Sequence, residues 1–246
     1  MKLIFATGNK GKLREAREIL QGFEVLSPTE AGLGPEALDV EENGSSFAEN
    51  SRIKAEHLAA LLPGTVAVIA DDSGLVVDAL GGAPGIYSAR YSQLDSRGRI
   101  GPDIRYRHAQ ACAKNCVRAY PAPASDAAKP DNPAAGSAGA SEANIAKLLR
   151  ELEAAGAMAA EQRRARFVCV ATLIAGGRTL SFEGRCEGRI AQAPEGDGGF
   201  GYDPVFVADA FPDRSLACVP EDDKNSISHR GEALRKLAEW LRQSNS

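Results

Sequence analysis

No apolar run in this 246-residue chain approaches the length needed to span a bilayer. Lys2 to Ala6 is too short for the core of a secretion signal. Cysteine is sparse: Cys112, Cys116, Cys169, Cys186 and Cys218 are five in number, odd and without a C-x-x-C pair, which argues against a disulfide framework. Cys169 lies in an apolar run and reads as a core residue. Positive charge is not in excess either. With 29 Lys and Arg against 33 Asp and Glu the formal net charge is −4, so binding of nucleic acid through bulk charge is not expected, although local basic patches remain open. What remains, at 43% hydrophobic and 25% charged residues, is a globular chain, expected to be soluble and cytoplasmic and to carry no membrane contact. It is long enough for one large or two small domains.

The opening residues alternate strand and helix. Lys2 to Ala6 reads as a buried strand, Thr7 to Gly11 as a loop, Leu13 to Leu20 as a one-sided helix and Phe23 to Leu26 as a second strand. Residues 27–44, with their Pro, Gly and acidic residues, read as loop. Ser46-Phe47-Ala48-Glu49 matches a capping box and opens a helix that Pro63-Gly64 ends near Leu62. A strand from Val66 is expected to end at Asp71-Asp72-Ser73. Phe167 to Ile174, the Gly176-Gly177 turn and Thr179 to Phe182 form a hairpin, with a short strand at Arg189 to Ala191. Ser228 suits the N-cap of a closing helix carrying Leu234, Leu237 and Leu241. Crossover units mixed with hairpins indicate an α/β or α+β fold with a mixed sheet. One stretch departs in character. From about 96 to 141 the chain is first basic and then rich in Ala, Pro, Ser and Gly, without hydrophobic periodicity, and reads as a mobile insertion. His108, Cys112 and Cys116 share one face of a possible short helix there, a spacing that could hold a soft metal or arise by accident.

Three places carry chemistry. Two adjacent carboxylates, Asp71 and Asp72, repel unless a cation or proton sits between them, which points to a divalent metal; an acidic turn after an edge strand is the plain alternative. Ala6-Thr7-Gly8-Asn9-Lys10-Gly11-Lys12-Leu13 joins a strand to a helix, so backbone amides and Lys12 can meet a phosphate. It fails the G-x-x-x-x-G-K-[ST] pattern at Ala6 and Leu13. Gly196 to Gly201 matches G-x-G-x-x-G by letters, but Pro204 forbids the helix that dinucleotide binding requires. An aromatic-tipped loop is the better reading, with Phe200 or Tyr202 available to lie against a flat ring.

Taken together, Thr7 to Lys12, Ser46 to Asn50 with Lys54, Ala70 to Leu75 through Ala89-Arg90-Tyr91-Ser92, Gly198 to Phe206 and Ser228-His229-Arg230-Gly231 closely resemble the inosine triphosphate pyrophosphatase family. The blocks occur in order and cover nearly the whole chain outside the insertion, where family members have a much shorter link to the Asn144 to Leu149 helix. The resemblance implies a single domain over 1–246, a two-lobed mixed α/β fold with a long mixed sheet and a central cleft, and a homodimer. It also implies Mg²⁺-dependent hydrolysis of ITP, dITP and XTP to the monophosphate and pyrophosphate. By resemblance, Glu42 and Asp72 are the Mg²⁺ carboxylates, Asp72 also activates the water and Asp71 supports it. Lys12 and Lys54 hold the triphosphate, helped by Thr7, Gly8, Asn9, Lys10, Gly11 and Ser73. Phe200 stacks on the purine beside Gly201, and Tyr202, Asp203, Lys224, His229 and Arg230 read its edge.

Side-chain chemistry agrees with such roles: hard Mg²⁺ takes oxygen ligands, phosphoryl-type transfer needs charge neutralisation and a positioned water, and an Arg230 donor would favour a 6-oxo purine over adenine. Two alternatives stay open, a related pyrophosphatase for modified or standard dNTPs and a catalytically idle nucleotide-binding protein.

Overall fold

The computed structural model describes residues 1–94 and 138–244. The expected insertion and its His108, Cys112 and Cys116 face lie outside the described residues, except at the end. There Ala138 already opens a helix, three residues before the low-complexity stretch was expected to finish, because the Ala-rich run from 138 contains no proline.

A six-stranded mixed sheet runs in the order β2-β1-β3-β4-β5-β6. Strands β1 (Lys2–Phe5), β2 (Glu24–Leu26) and β3 (Ala67–Val77) pair in parallel, linked by helices α1 (Lys10–Ile19) and α2 (Phe47–Ala60). Strands β4 (Arg164–Ala175), β5 (Arg178–Ile190) and β6 (Phe206–Ala208) continue it antiparallel. Helix α3 (Ala138–Ala154) precedes β4, and α4 (Glu221–Ile227) and α5 (His229–Ser244) close the chain.

Two long strands differ from the sequence reading. β3 does not stop at its carboxylates but runs on to Val77, paired with β4 from Val68↔Ile174 to Val77↔Ala165. The repulsion that suggested a strand end is relieved by the pleat, which sends Asp71 and Asp72 to opposite faces. Likewise the two short strands expected at 179–182 and 189–191 are one strand of 13 residues. Its buried positions include Gly184 and Gly188, which hid the period of two. Both glycines are demanded by close packing, since a Cβ at Gly184 would stand 2.1 Å from the His229 carbonyl and one at Gly188 2.3 Å from that of Val207.

The two ends of β3 and β4 pack into different cores. At one end, Leu3, Phe5, Ile69 and Leu173 meet α1 and α5 on one face, while Ile4, Val68 and Ala70 meet α2 on the other. At the far end Leu75, Val77, Phe167 and Phe206 pack with α3 through Ile145, Leu148 and Leu152. The carboxylate pair falls midway along β3, between the two lobes. The expected fold class is thus found: mixed α/β, two-lobed, with one long sheet running through both. Among the described residues no helix is long and apolar enough to cross a membrane.

Candidate active site

The first loop is shaped by its own side chains. Asn9 caps α1, its Oδ1 accepting from the N–H groups of Gly11 (2.8 Å) and Lys12 (3.2 Å), and Thr7 Oγ1 accepts from Asn9 N–H at 3.2 Å. This fixes the helix start beneath the loop and leaves Lys12, one turn in, leaning over the sheet toward β3.

There the two carboxylates take different company. Asp71, buried on the face shared with α1 and α5, accepts from Lys12 Nζ at 3.1 and 2.9 Å and from Arg230 Nε at 3.1 Å. Arg230 is itself buried and reaches on to Glu15 Oε2 (2.9 Å) and Ser73 Oγ (3.2 Å), and Glu15 Oε1 accepts from Ser228 Oγ at 2.5 Å. Burial alone would raise the Asp71 pKa; Lys12 and Arg230 overcome it and hold the carboxyl well below the usual range. Asp72, on the α2 face, accepts from Lys54 Nζ at 2.9 Å and Asn50 Nδ2 at 3.3 Å. Burial prevails here and its pKa is raised, Lys54 offsetting only part of the cost. Lys54 also pairs with Glu42 at 3.0 Å. Its own burial disfavours the ammonium, but Asp72 and Glu42 prevail and raise its pKa. Two neighbouring carboxylates are thereby pushed apart in acidity, Asp71 lowered within its network of cations and Asp72 raised by its burial. Each carboxylate meets its own lysine, Asp71 with Lys12 and Asp72 with Lys54.

The aromatic loop forms the other wall. Phe200 is 66% exposed at its tip. Its backbone N–H donates to Asp203 Oδ2 at 3.0 Å, the same oxygen accepts from Lys224 Nζ at 3.1 Å, and Lys224 stands 5.5 Å from the Phe200 ring centroid. Gly199 and Gly201 hold φ of 76° and 63°, which side-chain-bearing residues rarely adopt, so the tip depends on glycine.

A cleft of about 570 Å³ between these walls is lined by Gly11, Lys12, Phe200, Lys224 and Arg230. A chamber of about 230 Å³ adjoins it, lined by Thr7, Gly8, Glu42, Lys54 and Asp71. Asn9 and Lys12 border both. Of the expected residues, Thr7, Gly8, Asn9, Gly11, Lys12, Glu42, Lys54, Phe200, Lys224 and Arg230 line these two spaces, and Asp72 reaches them through Lys54.

Others stand apart. Lys10 lines neither space but a further groove of about 700 Å³, which shares Thr7, Gly8 and Asn9 with the chamber. Tyr202 is buried in the far core, its hydroxyl donating to the Ser88 carbonyl at 2.9 Å, and Asp203 is buried under the loop. His229 stacks on Phe167 with ring centroids 5.0 Å apart, and burial, reinforced by Arg230, pushes its pKa down to about 3, so the imidazole is neutral. Ser73 meets the cleft only through Arg230.

Glu15 and Gly44 carry no signal that the sequence reading uses, and that reading places Asn50 only on the helix face of Lys54, able to point into the cleft. Glu15 follows Lys12 by three positions and shares its helix face, a spacing that could have marked it.

The Ham1 family model matches residues 3–126 and 116–240 of the chain. The dITP/XTP pyrophosphatase of Geobacillus kaustophilus is 42% identical over 243 residues, 97% of this chain and 93% of its own. That of Aquifex aeolicus is 38% identical over 244 residues, 98% and 97% of the two chains. Among solved structures, the Ham1 protein of Staphylococcus aureus matches with a TM-score of 0.70 at 33% identity, covering 99% of this chain and 100% of its own. The HAM1 protein from Coxiella burnetii matches with a TM-score of 0.70 at 32% identity, covering 99% of both.

Proposed function

The chain belongs to the Ham1 family, and from that premise we propose that it hydrolyses non-standard purine nucleoside triphosphates (ITP, dITP and XTP) to the monophosphate and pyrophosphate. The observation that carries this reading is the junction at Asn9 and Lys12. A chamber of carboxylates and lysines opens there into a cleft with an exposed aromatic ring, as a triphosphate joined to a flat base requires. The relatives' names supply the substrate class.

The residues fit a magnesium ion. Glu42 and Asp72 each place a carboxylate oxygen within 3.0 Å of the Lys54 ammonium, so both already face a single cation. Among the described residues no cluster of three or more His, Cys, Asp or Glu could hold a metal by itself. The Glu42 and Asp72 pair suits Mg²⁺, which is bound by one or two carboxylates with phosphate oxygens and water completing its shell. When bound, the ion would neutralise phosphate charge and acidify water. Lys12 and Lys54 would hold the triphosphate, aided by the backbone of Thr7 to Gly11. Asp72, its acidity weakened by burial, would accept the proton of the attacking water. Phe200 would stack on the base, with Lys224 held at its side by Asp203.

Arg230 would stand at the base end, fixed by Asp71 and Glu15, and donate to a 6-oxo group. Neutral His229, packed behind it, would support that edge, and Tyr202 would anchor the loop. We further infer one domain over 1–246 acting as a homodimer in the cytoplasm, where nucleotide pools reside. Incubation with ITP and Mg²⁺, with separate detection of IMP and pyrophosphate, tests the reading; ATP should turn over more slowly.

A further inference from the structure

Asn50 is 2% exposed, on the first turn of α2, and both ends of its amide are engaged. Oδ1 accepts from Gly44 N–H at 2.9 Å and Nδ2 donates to Asp72 Oδ2 at 3.3 Å. The orientation is forced, because a backbone N–H can only donate and so must meet the carbonyl end. One side chain therefore ties two segments, the loop that carries Glu42 and the strand that carries Asp72. The loop sits close: a Cβ on Gly44 would stand 2.7 Å from Asn50 Oδ1 and 2.7 Å from Glu49 Cβ. Glu49 fastens the same loop by accepting from the N–H (2.6 Å) and hydroxyl (2.8 Å) of Ser45.

The carboxylate of Asp72 is oriented through both oxygens, Oδ1 by Lys54 and Oδ2 by Asn50, two residues one helical turn apart. The two donors are not equivalent. Lys54 brings charge that competes with any bound cation and that a triphosphate would draw away. Asn50 brings a hydrogen bond without charge.

We propose that Asn50 is a positioning residue for the proposed reaction: its amide sets Glu42 and Asp72 against each other and holds the Asp72 carboxylate in place while adding no charge that would compete with a divalent cation. Removing such an outer contact typically costs about 10–100-fold in metal affinity or activity. The inference rests on the hydrolytic reading of the same site.

The test compares wild type, Asn50→Ala, Asn50→Asp and Gly44→Ala. Gly44→Ala pushes the loop away without touching Asp72. The first measurement is calorimetric binding of an ITP analogue with a non-hydrolysable α–β bridge, with and without Mg²⁺. The second is kcat and KM for ITP. Expected for Asn50→Ala and Gly44→Ala is metal-free binding within about threefold of wild type, loss of most of the Mg²⁺-dependent gain, and kcat lower by about 10–100-fold with KM raised in step with the lost gain. Asn50→Asp keeps the acceptor for Gly44 but sets a second carboxylate on Asp72, and should also lose kcat. An undiminished Mg²⁺ gain in Asn50→Ala, or equal weakening with and without Mg²⁺, would overturn the proposal and leave Asn50 a strut between helix and loop. Failure of the hydrolytic reading would show separately, as wild type releasing no pyrophosphate from ITP.

Discussion

Replacing Asp71 by asparagine should destabilise the protein more than any other isosteric change at the site. The carboxylate is almost fully buried and is the common partner of Lys12 at 2.9 Å and Arg230 at 3.1 Å. Removing one member of a buried ion pair costs about 3–5 kcal/mol, because the other charge is left in a poor solvent. Two features pull this case toward the lower end. Asparagine still offers an oxygen to one donor, and Arg230 keeps Glu15 at 2.9 Å. A loss of about 3 kcal/mol corresponds, for a chain of this size, to a melting temperature lower by about 6–12 °C at neutral pH.

The pH dependence has a definite sign. The folded-state pKa of Asp71 lies below its unfolded value, so its contribution is complete above about pH 4 and is lost as pH falls toward the folded value. The gap between Asp71→Asn and wild type should be constant through the neutral range and narrow on acidification. Thermal unfolding followed by circular dichroism between pH 3 and 8 measures both. A drop below about 2 °C at pH 7 would refute the view that this network carries substantial stability.

The same exchange one residue along should do the reverse. Asp72→Asn removes an anion whose burial is unfavourable, so melting should change little while turnover falls by at least about a hundredfold with triphosphate binding retained; near-normal turnover would mean the carboxylate has been given the wrong role. Phe200→Ala should leave stability unchanged, since the ring is exposed, and should weaken every purine triphosphate alike by about 1–3 kcal/mol. A loss confined to one purine would show that Phe200 reads the base edge instead of stacking.

Local signals made much of this legible. Ser46 and Ser228 act as the caps their positions suggested, and the hairpin turn falls at Gly176-Gly177, whereas the first helix begins at Lys10 under an Asn9 cap and not at Leu13. What stayed hidden depends on the third dimension. An Asp-Asp pair reads as a strand end or a shared metal site until the pleat separates the two side chains, and nothing local says that α1 and α5 close on one face and α2 on the other. Glycines in β5 look like turns, although they admit α5 and β6. Helix α4 and strand β6 are too short to show a period. Asp203 reads as a cleft residue because its motif is polar, whereas burial beneath the loop and its pairing with Lys224 set what it touches.

The first products of ITP show which phosphoanhydride bond breaks. Purified protein is given ITP and Mg²⁺, quenched within the first few per cent of turnover, and resolved by ion-exchange chromatography with pyrophosphate and orthophosphate measured separately. IMP and pyrophosphate in equal amounts from the earliest time point, with no IDP, are expected. Initial release of IDP with orthophosphate would contradict the account.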